Sequence, residues 1–457
     1  MPISAIDSIY FGHMFASSRM SKIFSDQGRF EGWLMMESGL ARGQARVGMI
    51  PQEAADEITD AAKIENIDTD SIIAAYKEKG ARIIPLIQAL VGRVSGETGR
   101  YVHWSSTTQD VIDTGLVLQY RQAIVILEEL LTKLEDVLAN HCETHRNTVM
   151  PGRTVMQQAS PVSFGHQVAV WLSEINRHHD RLDQIKPRFL TCQITGAVGN
   201  LAAVGNQGIA MRKAVAEELG LNAPAIGWHC SRDRWAEMAS LLAMIGATLA
   251  KIGQEVGLLA HTEIMELAEP HVVGRGGSST CPQKRNPTLC QPLIAAGRML
   301  RERAALNLDA MVAEHGRPVG AAQIEYTLLP EAFTLCGGAL ENTLKLLSGL
   351  KVEKERMRKN LDMAGGAIMS EAVMMGLANY IGRNEAHHVV FDACARAKQE
   401  GLTLKQAVMK DSLIIGKLSE AQIDKLIDPV NYLGVTSEMI DEVMDEVKAS
   451  RNARVEG

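Results

Sequence analysis

The sequence predicts an all-α fold organised around a bundle of long helices, and three features of the 457-residue chain carry that prediction. Apolar residues recur at steps of three and four over more than six turns, at Leu116, Tyr120, Ile124, Leu127, Leu131, Leu134 and Leu138. No proline interrupts that run between Pro85 and Pro151. Strand-type alternation is scarce, while the helical period returns at Phe164 to Ile185, Met238 to Leu259 and Leu289 to Leu306. Four helices of roughly twenty residues each make a bundle.

Three parts follow: an N-terminal helical domain over 1–110, a central long-helix domain over 111–350 and a C-terminal helical domain over 351–457. In the first, Arg19 to Ala41 sets Phe30, Trp33, Leu34 and Leu40 at helical spacing, and Ile50-Pro51 closes a helix hairpin. Tyr101 to Thr114 reads Y-V-H-W-S-S-T-T-Q-D-V-I-D-T and runs directly into the first long helix. Its four consecutive hydroxyls, Ser105 to Thr108, exceed what a helix cap needs; with the N–H groups of a helix start they make a carboxylate cradle. Gly152 to Gly165 reads as a second polar lead-in to a helix, and Thr195 to Leu201 as a small-residue turn. Trp228 to Glu237 places Arg232 and Arg234 around Asp233 at a helix start, a structural ion-pair cluster. E-H-G-R at Glu314 to Arg317 adds a basic, polar element. No proline separates Pro330 from Pro429, the helices there shorten, and Arg451 to Gly457 is expected to fray.

Composition excludes several function classes. A net charge of −7 with 4% aromatic residues is a poor match to nucleic acid. The start has no basic segment leading into an apolar run, and no apolar stretch approaches about 20 residues, so a cytoplasmic protein without a membrane partner is expected. Seven cysteines without a C-x-x-C pair read as reduced thiols. With no H-E-x-x-H among thirteen histidines, neither a metal nor another cofactor is expected.

The chemistry centres on Gly274 to Pro287, G-R-G-G-S-S-T-C-P-Q-K-R-N-P, whose glycines and prolines predict a mobile loop. From His271 to Arg301 there is no acidic residue but there are five cations, Arg275, Lys284, Arg285, Arg298 and Arg301, which suggests an anionic ligand. A phosphate-binding P-loop is excluded, because Lys284 stands between Gln283 and Arg285 instead of between Gly and Ser/Thr.

This loop resembles the G-S-S-x-M-P-x-K-x-N-P signature of the fumarase/aspartase superfamily, with Cys281 at the methionine position. Y-V-H-W-S-S-T-T-Q-D, G-R-T-V-M-Q-Q-A-S-P-V-S-F-G and G-A-V-G-N-L occur in that superfamily's order, so the resemblance covers most of the chain. Within it the pattern is most similar to the bacterial 3-carboxy-cis,cis-muconate cycloisomerases. The resemblance implies a homotetramer with a twenty-helix core and active sites built from three chains. It also implies proton abstraction from carbon next to a carboxylate, with Ser278 as base.

By the same resemblance Lys284 and Asn286 grip the substrate carboxylate beside Ser279, and Thr107 and Thr108 hold a second one. Gln109 stands where other members use Asn, and Thr154 and Gln157 line the opposite wall. His103 supplies a proton or binds carboxylate, and Arg317, after His315, is a guanidinium suited to carboxylate geometry. Val155 and Gln291 stand where fumarase and aspartase keep a His–Glu pair. The implied activity is lactone formation or opening on a small polyanionic carboxylate. One alternative is a lyase releasing fumarate from an N- or O-substituted succinate. Another is a non-catalytic structural helical protein, which the intact Ser278 and Lys284 disfavour.

Overall fold

Where the sequence keeps an unbroken apolar period, the chain is helical. The computed structural model describes residues 4–270 and 276–456. Its helices include α1 (Asp26–Arg46), α2 (Ile84–Val91), α3 (Thr108–Thr144), α4 (Phe164–Phe189), α5 (Gly208–Leu219), α6 (Asp233–Leu259), α7 (Cys290–Asp309) and α8 (Ala321–Ser348). The C-terminal part adds α9 (Ser370–Ile381), α10 (Arg383–Glu400) and α11 (Thr436–Glu456). The stripe from Leu116 to Leu138 on α3 is buried throughout. α6 is long and apolar enough to cross a membrane, at mean hydropathy 1.3, but 67% of that stretch is buried, as in a core helix.

Two expectations are corrected and a third is refined. α8 is a fifth long helix in the middle of the chain, beyond the four that the apolar period marked, and Pro330 lies inside it. Proline removes one backbone donor there, yet Leu328, Leu329, Ala332 and Phe333 are buried around it, so packing overrides the local preference. Gly152 to Gly165 does lead into α4, which begins at Phe164, but it does so as a hairpin: β1 (Val149–Thr154) and β2 (Gln157–Ser163) pair antiparallel across it. Arg451 does not fray, because α11 continues to Glu456, and Arg451 and Arg454 both pair with the fully buried Glu135. A second small pair joins β3 (Leu267–Ala268) to β4 (Lys351–Val352).

The chain divides into two units, and the division falls inside each of the five long helices. Unit 1 takes Met1–Leu131, His178–Leu249 and Ala295–Asn342. Its centre is aromatic: Tyr120 stacks on Phe333 at 5.3 Å and meets Trp235 edge-on at 5.8 Å. α1 packs on α5 and approaches α3 backbone to backbone at Gly32 and Gly115, where an added Cβ on Gly32 would lie 2.9 Å from the Gly115 oxygen. Unit 2 takes Thr132–Arg177, Ala250–Ile294 and Thr343–Gly457. Leu361, Met369, Val373, Leu377, Val390 and Val408 form its C-terminal core, and Arg153 is held by the buried Glu266 at 2.5 Å.

The cysteines are unpaired, with Cys142, Cys192, Cys290 and Cys336 buried, Cys394 half-buried, and Cys230 and Cys281 exposed. Burial pushes the Cys142, Cys192 and Cys336 thiols up to about 12.

Candidate active site

In unit 2 the signature loop is built on a backbone clamp. The Asn286 N–H and side-chain amide both donate to the Gly276 carbonyl, at 2.8 and 3.1 Å. Gly277 bridges Arg285 across the loop. Gly276 sits at φ 71°, and a Cβ there would lie 2.7 Å from the Asn286 oxygen, so only glycine fits. Gly274 and Arg275, the start of the predicted loop, lie outside the described residues, as does His271.

Ser278 Oγ accepts the backbone N–H groups of Cys281 at 2.9 Å and Thr280 at 3.3 Å. Donors aimed at that oxygen favour its negative form over the neutral hydroxyl. Ser279 and Lys284 are exposed, and the Lys284 ammonium has no acidic partner among the described residues. The Asn286 side chain, expected to grip substrate, is turned to Gly276 in this structure.

Sequence reasoning missed Glu269, which lies just outside the acid-free window. Its carboxylate accepts the N–H of Leu289 at 2.9 Å and of Cys290 at 2.8 Å, closing the start of α7. A helix start without Ser, Thr, Asp or Asn at its cap was the available signal.

In unit 1 the hydroxyl-rich segment is fixed by Asp110, which is fully buried. Asp110 accepts from the N–H groups of Thr107, Thr195 and Gly196 and pairs with His229 Nε2 at 2.9 Å. It thereby ties the start of α3 to the turn at Thr195–Leu201. Thr107 Oγ1 accepts from Arg317 Nη2 at 2.9 Å, and the same nitrogen reaches the Ala197 carbonyl at 2.6 Å. Gln109 donates to Asp113 and to the His229 carbonyl, so its amide is committed to the protein. His315 is exposed, at φ 52°.

His103 stands at φ 59°, with Nδ1 2.6 Å from Glu37 Oε1 on α1. Glu37 is 1% exposed and its second oxygen has no partner among the described residues. Burial opposes charge on the imidazole, but Glu37 and, more weakly, Asp110 outweigh it and hold His103 above the ordinary histidine value. The sequence reading had no term for this pair, because Glu37 lies 66 residues upstream.

The ion-pair cluster differs from the expected one. Arg232 pairs with Asp113 at 2.8 Å and Glu325 at 2.6 Å, all three buried, and lies 3.9 Å from the Trp235 ring centroid. Burial opposes the guanidinium's charge and the two carboxylates outweigh it, keeping Arg232 protonated. Asp233 instead accepts from Ser231. Beside this cluster is a cavity of about 140 Å³, lined in part by Thr108, Gln109, Arg317 and Arg82.

Thr154 and Gln157 flank the tip of the β1–β2 hairpin in unit 2, both exposed. Between them Val155 and Met156 take φ 51° and 64° and are 94% and 77% exposed. Two left-handed residues make the hairpin turn that Asn-Gly normally fills. The predicted residues therefore form three groups: the signature loop and the hairpin tip in unit 2, and the Thr107, Thr108, Gln109, Arg317 and His103 cluster in unit 1.

Comparison with known proteins gives the same grouping a family context. Residues 14–299 match the family described as Lyase, and residues 366–443 match the Adenylosuccinate lyase C-terminus. The chain is 40% identical over 439 residues to the 3-carboxy-cis,cis-muconate cycloisomerase of Pseudomonas aeruginosa, spanning 95% of this chain and 96% of that one. It is 36% identical to the N-acetyl-S-(2-succino)cysteine lyase of Dickeya dadantii, spanning 96% of each. The crystal structure of the 3-carboxy-cis,cis-muconate lactonizing enzyme from Pseudomonas putida matches with a TM-score of 0.92 at 37% identity, over 97% of this chain and all of that one.

Proposed function

The chain belongs to the lyase family and with it to the fumarate lyase superfamily, and from that premise we propose that it is a cycloisomerase closing or opening a lactone on a polycarboxylate, most like 3-carboxy-cis,cis-muconate. The observation that carries this is Ser278 Oγ held as acceptor of two backbone N–H groups. A serine hydroxyl is a weak base at neutral pH, and such donors are what it needs to act as one.

In the lactone-opening direction, Ser278 Oγ takes the proton from the carbon next to a carboxylate, and the electron pair moves into that carboxylate. The ring C–O bond then breaks and its oxygen leaves as a second carboxylate. In the closing direction a carboxylate oxygen adds to the conjugated double bond and Ser278 returns the proton. Lys284 and Asn286 take the carboxylate that carries the developing charge, which requires Asn286 to exchange Gly276 for substrate. Thr107, Thr108 and Arg317 hold a second carboxylate, and Thr154, Gln157 and Ser279 line the remaining walls. A carboxylate leaving group needs no proton, which fits Val155 and Gln291 at the positions of the His–Glu pair of fumarase and aspartase. The proposal includes a homotetramer whose sites draw on three chains, in the cytoplasm, where unpaired cysteines are usual.

The His103–Glu37 pair favours a second reading. Glu37 favours the protonated form of the imidazole, which is the form that donates a proton, and a lyase releasing fumarate from a substituted succinate needs a donor for an amine, alkoxide or thiolate leaving group. The two readings part in one assay. Loss of the diene absorbance of 3-carboxy-cis,cis-muconate that disappears in Ser278→Ala is expected for the cycloisomerase, with Ser278→Ala at least about 100-fold slower and its oligomer intact. Fumarate from a substituted succinate with no change in the diene would select the second reading, and full activity in Ser278→Ala would overturn the mechanism for both.

A further inference from the structure

Arg82, in the loop ahead of α2, has no acidic partner among the described residues. Its guanidinium donates to the Tyr326 hydroxyl at 2.6 Å and to Gln323 Oε1 at 3.0 Å, and its Cζ lies 5.2 Å from the Tyr326 ring centroid. These partners are neutral and hold the side chain in place without neutralising it. Arg82 lines the cavity of about 140 Å³ that also receives Arg317, Thr108 and Gln109.

The cavity's own acids are spoken for. Asp113 and Glu325 each present both oxygens to Arg232, at 2.8 and 3.2 Å and at 2.6 and 2.7 Å. Arg317 spends Nη2 on Thr107, Ala197 and Gly196, all neutral, and its buried Nε has no partner among the described residues. Arg232, which is not on the cavity wall, neutralises the two lining carboxylates from behind, and the lining guanidiniums of Arg82 and Arg317 are left as the positive surplus. Unneutralised guanidiniums held rigid on a cavity wall are a receptor for planar anions, because their paired N–H groups match a carboxylate.

We propose that Arg82 is a substrate anchor that makes this cavity selective for tricarboxylates: Arg317 and Thr107 take one carboxylate, and Arg82, preset by Tyr326 and Gln323, takes another. This rests on the polycarboxylate reading above and names the class within it, since the carboxylate at the Ser278 loop is the third. An acid with only two carboxylates leaves Arg82 unused.

The test is binding of unreactive acids, so it does not depend on turnover. Calorimetry on the whole enzyme compares tricarballylate, with three carboxylates, and glutarate, which lacks the central one. Wild type is expected to bind tricarballylate at least about tenfold more tightly. Arg82→Met is expected to weaken tricarballylate by about ten- to a hundredfold, as for a lost charged hydrogen bond, and to leave glutarate unchanged. Arg82→Lys should recover part of the loss. Tyr326→Phe, which keeps the charge and removes one tether, should weaken tricarballylate by a smaller factor.

Equal affinity of wild type for the two acids, binding of neither, or parallel loss of both in Arg82→Met would overturn the proposal. So would displacement of tricarballylate by equimolar inorganic phosphate, the mark of an unselective anion site. If the muconate assay fails while the tricarballylate preference and its loss in Arg82→Met stand, the reaction was misread and the anchor was not.

Discussion

Removing the Arg232 guanidinium would leave Asp113 and Glu325 facing each other in the interior, so Arg232→Met is expected to cost about 3–5 kcal/mol of stability. The urea midpoint reads this directly, and a loss below about 1 kcal/mol would mean that the three groups do not act as one buried unit. His103 carries a pH signature. Its value in the folded protein lies above the ordinary one. The pair with Glu37 therefore contributes its full stabilisation below about pH 6.5, the unfolded value. That contribution fades as pH rises through the higher folded value. Glu37→Gln should abolish this dependence of the urea midpoint on pH. On the fumarate-releasing reading, the alkaline fall of kcat/KM in the same variant should move to lower pH, because the imidazole loses its charge sooner; an unmoved limb would remove His103 as that reading's proton donor.

Single elements carry their own tests, and the hairpin tip is the sharpest. Val155 and Met156 occupy left-handed backbone that disfavours side chains, β-branched ones most of all. Replacing them by Asn-Gly should stabilise the protein by about 1 kcal/mol or more in thermal unfolding. Turnover should fall in the same variant if the tip completes a site in another subunit. A gain in stability with unchanged turnover would make the tip a bystander. Gly276→Ala should do the reverse locally, breaking the Asn286 clamp and turnover while far-UV circular dichroism stays unchanged, because no helix depends on it.

These elements also mark what could be read from sequence. The stripe on α3 was legible because seven buried positions repeat one period over a proline-free run. α8 was not, since proline argues locally against a helix that only its surroundings favour. The hairpin was hidden by the absence of a glycine-bearing turn, and Glu37 and Arg82 by separations that no local pattern spans.

For the molecule as a whole, the prediction concerns assembly. If sites draw on three chains, co-expressing Ser278→Ala with Arg317→Met should restore part of the turnover that each lacks alone, because mixed oligomers hold some sites free of either defect. Mixed oligomers without recovered activity would place both residues of a site in one chain. Cysteine placement supplies the means to watch such a molecule work. With four thiols buried, three of them at about 12, and Cys394 half-buried, a maleimide dye has two exposed targets, Cys230 and Cys281. Cys230→Ser leaves the second, three residues from Ser278. With the half-buried Cys394 also replaced by Ser, a fluorophore there turns the movement of one loop during a catalytic cycle into an optical trace.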